Sequence, residues 1–254
     1  MGINVQSFAV TNLRRRPVAL EVAGFVVGLE PTDPSPFLNY ATPWPGTRPT
    51  PGDVAALITA FTERGLRPRL EFAPDAAPDV EPALRRAGFT TEAEHQYLAC
   101  TPDTLALPPG HPGETPGHHV ETPRTDEEFA AIDATLSEAF GGAFASSPAG
   151  AARLRRQQER GGFVRFVRAP DGTCAGAAGC SAPAEGTAEL AGVGTRPEYR
   201  GRGIAASVTA ALTEAAFGAG ADSVWLEYGG EGSRRVYERV GYRVAGRRLY
   251  LSLV

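Results

Sequence analysis

The chain has 254 residues, of which 42% are hydrophobic and 21% charged, with a formal net charge of −4 and a pI of about 5.7. That balance excludes the basic surface required for broad nucleic-acid binding, and no apolar run approaches the length of a membrane span. A soluble protein of one large or two modest domains is expected, with neither nucleic acid nor membrane as partner.

The opening "MGINVQSFAVTNLRRRPVAL" lacks the basic, apolar and small-residue succession of a secretory signal, so a cytoplasmic location is expected. All 25 basic residues are arginine, which we read as a codon bias that discounts arginine clusters. Cys100, Cys174 and Cys180 form no C-x-x-C pair, and the four histidines show no ligand spacing. Reduced cysteines and no metal are expected.

In chain order, "RPRLEF", "VEPALRRAGF" and "HQYLAC" read as strand, helix and strand in the first part of the chain. Residues 101–117 are so rich in Pro and Gly that a boundary is placed there. The expected domains are 1–104, a linker over 105–117, and 118–254. After it, "HHVET" reads as a strand and "TDEEFAAIDATLSEAF" as a helix, with Thr125 and Glu128 at capping-box spacing. "GGAFASSPAG" reads as a loop, "AARLRRQQER" as a helix, and "FVRFVRA" with "GTCAGAAGCSA" as a hairpin across "PDG". "AELAGVGT" is the next strand. A helix over roughly 202–218, the strand "SVWLEY", the helix "GSRRVYERV" and the strand "RRLYLSL" complete the chain.

The first half carries a fainter copy of the second. Gly88 to Tyr97 and Gly241 to Tyr250 both span nine positions, and "GTRP" occurs at Gly46–Pro49 and Gly194–Pro197. From Pro49 to Leu70 is 21 positions against 29 from Pro197 to Leu226, and "TPGD" stands where the second copy has "EYRGRG". The first copy has lost a glycine-arginine loop.

That loop, within "TRPEYRGRGIAA", places small backbone and positive charge at a helix start, the pattern of a phosphate cradle. Gly201, Gly203 and Ala206 also satisfy G-x-G-x-x-G/A, the dinucleotide fingerprint. Four residues separate the strand from the first glycine, however, and too little chain follows for that fold. A Walker loop needs a lysine, and the chain has none.

Arg200, Gly203 and Ala205 fit Q/R-x-x-G-x-G/A, preceded by a strand ending in "VGT" and followed by "VYERVGY". Over residues 118–254 the chain resembles the GNAT superfamily of acyl-coenzyme A N-acyltransferases, in element order as well as in motif. A tandem with a degenerate N-terminal half is familiar in that superfamily. The resemblance implies an α/β (α+β) fold of two GNAT-like domains, each a mixed, mostly antiparallel sheet flanked by helices.

It further implies acetyl-coenzyme A, or another acyl-coenzyme A, as co-substrate and a small-molecule primary amine as acceptor, with no metal; assembly, a homodimer included, is left open. Arg200, Gly201, Arg202, Gly203, Ile204 and Ala205 would hold the pyrophosphate, and Val193, Gly194 and Thr195 would pair with pantetheine. Tyr237 matches the family's general acid for the departing thiolate, although Ser233, Val236, Tyr237 and Val240 equally form a core-facing stripe. Glu189 and Glu227 are candidate bases or solvated strand residues. Gly230 stands where many members carry Asn. Phe140 and Phe144 would wall the acceptor pocket, with Arg153, Arg155 and Arg156 attracting an acid group or forming a solvated face. A non-catalytic acyl-coenzyme A module and an aminoacyl-tRNA-dependent transferase are the alternatives.

Overall fold

The computed structural model describes residues 4–31, 33–107 and 118–253, so the larger part of the expected linker, from Pro108 to Gly117, lies outside the described residues. The chain divides into two compact units, Met1–Tyr97 with Ala245–Val254, and Leu98–Val244. The last ten residues therefore group with the first unit, where the sequence reading had placed them with the second. The cause is strand pairing: Leu249 to Ser252 are antiparallel to Phe72 to Arg69.

The first unit opens with helix α1 (Val5–Arg14), then strands β1 (Val18–Val22), β2 (Phe25–Leu29) and β3 (Tyr40–Pro43). Helix α2 (Pro51–Thr62), strand β4 (Arg69–Phe72), helix α3 (Val80–Arg86) and the part of strand β5 (Thr90–Cys100) up to Tyr97 follow. β1, β2 and β3 form an antiparallel meander, and β3 meets β4 in parallel at Ala41 and Leu70. Phe25, Val27, Leu57, Phe61, Leu70 and Phe72 fill its core with no exposed surface.

The second unit contains β6 (Val120–Glu121), α4 (Asp126–Ala139), α5 (Pro148–Glu159), β7 (Phe163–Arg168), β8 (Cys174–Cys180) and β9 (Thr187–Thr195). It continues through α6 (Ile204–Gly218), β10 (Ser223–Glu227), α7 (Glu231–Arg239) and the start of β11 (Arg243–Ser252). The strand order is β10-β9-β8-β7-β6, antiparallel except for the parallel β9–β10 pair. A strand, a helix and a parallel strand recur as β3-α2-β4 and β9-α6-β10, with the two GTRP segments each at the passage from the strand to the helix.

Local chemistry explains most boundaries. Thr125 accepts from the Glu128 N–H while Glu128 accepts from the Thr125 N–H, closing the expected capping box on α4. Helix α5 starts earlier than expected, inside the segment read as a loop. Ser147 caps it through Gly150 N–H, Pro148 occupies the first turn, and buried Asp133 of α4 accepts from Ser147 N–H at 2.8 Å. Cys100, Cys174 and Cys180 are buried and unpaired, and burial pushes all three thiols up.

Gly241, in the "GY" pair after α7, has φ +102°, and a Cβ there would lie 1.9 Å from the Thr104 carbonyl oxygen. The adjacent Ala106 N–H donates to Val240 O at 3.0 Å, which fixes the close approach. Gly241→Ala is expected to cost about 3 kcal/mol or more, since it adds a left-handed strain to a backbone clash. Urea unfolding of the variant checks this, and an unchanged midpoint would contradict it.

Candidate active site

Strand β9 is shaped by two irregularities. Between Ala177↔Gly194 and Gly179↔Ala191 it carries one residue more than β8, and Gly192 takes up the turn with φ +66°. This is a β-bulge, which bends the strand and interrupts its ladder. On the other side, β10 pairs with β9 only from Thr187 to Glu189. Beyond Glu189 the β10-facing side of β9 is thus left open, as a peptide-like ligand arm requires.

β9 then enters a short 3-10 turn over Pro197–Tyr199, followed by Gly201 at φ +75° and Gly203 at φ +85°. Gly203 is the N-cap of α6 and offers no side-chain cap. The backbone N–H groups of Gly201 through Ala206 have no acceptor among the described residues, the first helical bond being Ser207 N–H to Gly203 O. Consecutive free donors at the positive end of a fifteen-residue helix form an anion site. A Cβ at Gly201 or Gly203 would meet nothing within 4 Å, so these glycines are required by their dihedrals and leave open space before the amides.

The arginines of this loop brace it. Arg200 Nη2 donates to Ala139 O at the end of α4 at 3.0 Å, and its Nε to Thr195 O at 3.3 Å. Arg202 Nη2 donates to Glu198 O at 3.0 Å, and its guanidinium lies 5.3 Å from the Tyr199 ring centre. Both guanidiniums donate to backbone carbonyls, and the Arg202 side chain does not line the cavity, so the acceptor-free donors of the loop are its backbone amides.

A cavity of about 520 Å³ joins these parts. Val193, Gly194 and Thr195 form one wall; Arg200, Gly201, Gly203, Ile204 and Ala205 form another; Tyr237 and its helix α7 form the third. Every cofactor-binding residue expected from the sequence except Arg202 therefore lines one space, together with the expected acid. Ser233 and Val236, read as core stripe, line it too, as does Arg239, which the sequence reading missed. Helical spacing had placed Ser233 and Val236 beside Tyr237; it did not tell a cavity from a core.

Tyr237 is 6% exposed, packs its ring 6.2 Å from that of Tyr242, and its hydroxyl has no hydrogen-bond partner among the described residues. Burial pushes its pKa up to about 12, so it is protonated throughout the physiological range. Glu189 and Glu227 do not line the cavity. Ala188, Leu190, Val224 and Leu226 face the α6 core, so by strand alternation Glu189 and Glu227 share the opposite face, with Glu189 paired to Trp225. Phe140 and Phe144 are exposed, with their rings tilted and their centres 6.2 Å apart beyond the end of α4. Arg155 is committed to Asp126 at 2.5 Å and to the Phe129 ring.

Residues 129–242, which contain the bulged strand, the open amides and Tyr237, match the acetyltransferase (GNAT) family. They form a GNAT acetyltransferase domain. Over 99% of the chain, the protein is similar to a GCN5-related N-acetyltransferase from Kribbella flavida, with 28% identity, a TM-score of 0.81 and 96% of that chain covered. Two more distant structures share the fold. A GCN5-related N-acetyltransferase from Sphaerobacter thermophilus has 16% identity and a TM-score of 0.62, over 90% of this chain and 76% of that one. A tandem GNAT protein from the clavulanic acid biosynthesis pathway has 13% identity and a TM-score of 0.65, over 90% and 77%. No curated protein matches the chain significantly.

Among the described residues no group of three or more His, Cys, Asp or Glu side chains that could hold a metal ion is found. No helix among them is long and apolar enough to cross a membrane.

Proposed function

We propose that the protein transfers an acetyl group from acetyl-coenzyme A directly to the primary amine of a small molecule. The observation that carries this reading is the run of acceptor-free amides from Gly201 to Ala206, opening into the same cavity as Tyr237. The chemistry of that donor set fits a pyrophosphate, which supplies several acceptor oxygens and negative charge. Val193 to Thr195, on the side of β9 that β10 leaves uncovered, suit an amide-bearing pantetheine arm.

Each residue then has a task. The amides of the loop bind and orient the donor, and a β9 backbone N–H beside the bulge polarises the carbonyl under attack. Tyr237 donates its phenolic proton toward the sulfur as charge develops there. Transfer to a free thiolate with a pKa near 8.5 would be uphill from so weak an acid; the same burial that raises Tyr237 raises the sulfur's proton affinity and narrows that gap. An amine must be neutral to attack; Glu189 and Glu227 lie outside the cavity, and in this reading they would take its proton only through intervening water.

Because the Tyr237 pKa is raised to about 12, its deprotonation cannot limit turnover at ordinary alkaline pH. We expect kcat to show no alkaline decline up to about pH 10. A descending limb centred near 9 would remove Tyr237 from the acid role.

The overall reaction is tested by thiol release from acetyl-coenzyme A across a panel of small primary amines. Amine-dependent release supports the proposal. A second reading, a non-catalytic acyl-coenzyme A module, is favoured by Gly230, which caps α7 without a side chain where the family often places Asn. Tight donor binding without release for any amine would select it.

A further inference from the structure

We propose that His118 is a positioning residue for the donor, holding the peptide between Arg202 and Gly203 so that its N–H faces the pyrophosphate; this rests on the acetyl-coenzyme A reading above. His118 lies just before β6, whose Val120 pairs with Val167 of β7. From there its Nε2 reaches the Arg202 carbonyl oxygen at 2.6 Å, across 84 positions of sequence. A carbonyl oxygen only accepts, so Nε2 carries the proton and donates.

Two consequences follow from peptide geometry. In a trans peptide the C=O and the following N–H point in opposite directions, so fixing the Arg202 oxygen on one side turns the Gly203 N–H to the other. That N–H is one of the acceptor-free donors, and Gly203 lines the cavity. The second concerns Ala206. Its N–H would ordinarily donate to the carbonyl four residues back, which is that of Arg202, and would add one bond to the helix. The helix instead begins its bonding at Ser207, and Ala206 N–H stays free. The Arg202 carbonyl is thus engaged by His118 and not by the Ala206 N–H.

The side chains within the loop do not do this. Arg200 reaches Thr195 O and Ala139 O, and Arg202 reaches Glu198 O. Among the described residues, His118 supplies the contact to Arg202 O.

The test compares full-length wild type, His118→Ala and His118→Gln, by calorimetric titration with acetyl-coenzyme A and by steady-state kinetics. One neutral hydrogen bond translates to roughly a three- to tenfold change in affinity. His118→Ala is expected to raise the Kd and the KM for acetyl-coenzyme A by that factor, with kcat at saturating donor changed less than twofold. Gln carries its amide nitrogen the same number of bonds from Cα as Nε2, and is expected to restore both within about twofold. Wild-type affinity in His118→Ala would overturn the proposal, as would a loss that Gln does not recover, which would mark packing rather than donation. Failure of the wild type itself to bind would sink the donor reading along with it, and is distinguished by occurring before any substitution.

Discussion

Ala206→Asp is expected to weaken acetyl-coenzyme A binding by about 10²-fold while leaving the thermal midpoint within a few degrees of wild type. The protein already contains the model for this substitution. In α2, the repeat counterpart of α6, Thr50 is the N-cap and Asp53 the third helical residue. Asp53 accepts from the Thr50 N–H at 2.8 Å and from its hydroxyl at 2.7 Å, and its own N–H donates to Thr50 Oγ1 at 3.2 Å. The Thr50 backbone bond, with the hydroxyl, holds the Asp53 carboxyl below the usual carboxylate range. The Thr50 and Asp53 donors are satisfied from within, Pro51 has no N–H, and the Asp53 carboxylate stands where an anion would bind.

In α6 the same positions are Gly203 and Ala206, neither of which carries an acceptor. An aspartate at 206 reaches the Gly203 N–H in the manner of a capping box and brings a negative charge into the cavity that Ala206 lines. A charge-assisted hydrogen bond is worth roughly 1.5–3 kcal/mol, and losing one in favour of a repulsive carboxylate gives the expected factor. The helix does not suffer, because an acidic residue in the first turn complements its dipole. Titration with acetyl-coenzyme A and a thermal melt together check this. Undiminished binding would mean that the free amides are not where the donor's phosphates sit.

Tyr237→Phe is expected to lower kcat by about 10²-fold, with the KM for acetyl-coenzyme A moving less than threefold. Phenylalanine keeps the ring that packs at 6.2 Å from Tyr242 and removes a hydroxyl without a partner among the described residues. Stability should therefore hold, and the loss should fall on the chemical step. An unchanged kcat would leave Tyr237 as a wall of the cavity. The repeat offers a comparison here too, since Leu84, wholly buried in α3, occupies the equivalent place in the first unit.

Much of this was legible in the sequence because it is local. The Thr125–Glu128 box, the hairpin across Asp171 and Gly172, and the glycines with positive φ at 201 and 203 each follow from residues within a few positions of one another. The repeat was legible because hydrophobic spacing survives where the loop does not. What escaped depends on distant partners. The start of α5 is set by Asp133, fourteen positions before Ser147, and the brace on Arg202 comes from His118. The bulge at Gly192 appears only when β9 is laid against β8, because nothing in "AELAGVGT" says where the ladder slips. Grouping Ala245–Val254 with the first unit likewise needs β4 as a partner.

The most direct test of the central claim, that the open amides at the start of α6 hold the pyrophosphate of acetyl-coenzyme A, is calorimetric titration of the purified protein with that compound, with NADPH as the competing ligand. Micromolar binding of acetyl-coenzyme A, undisturbed by NADPH, is the predicted result. Binding of NADPH without acetyl-coenzyme A would contradict it.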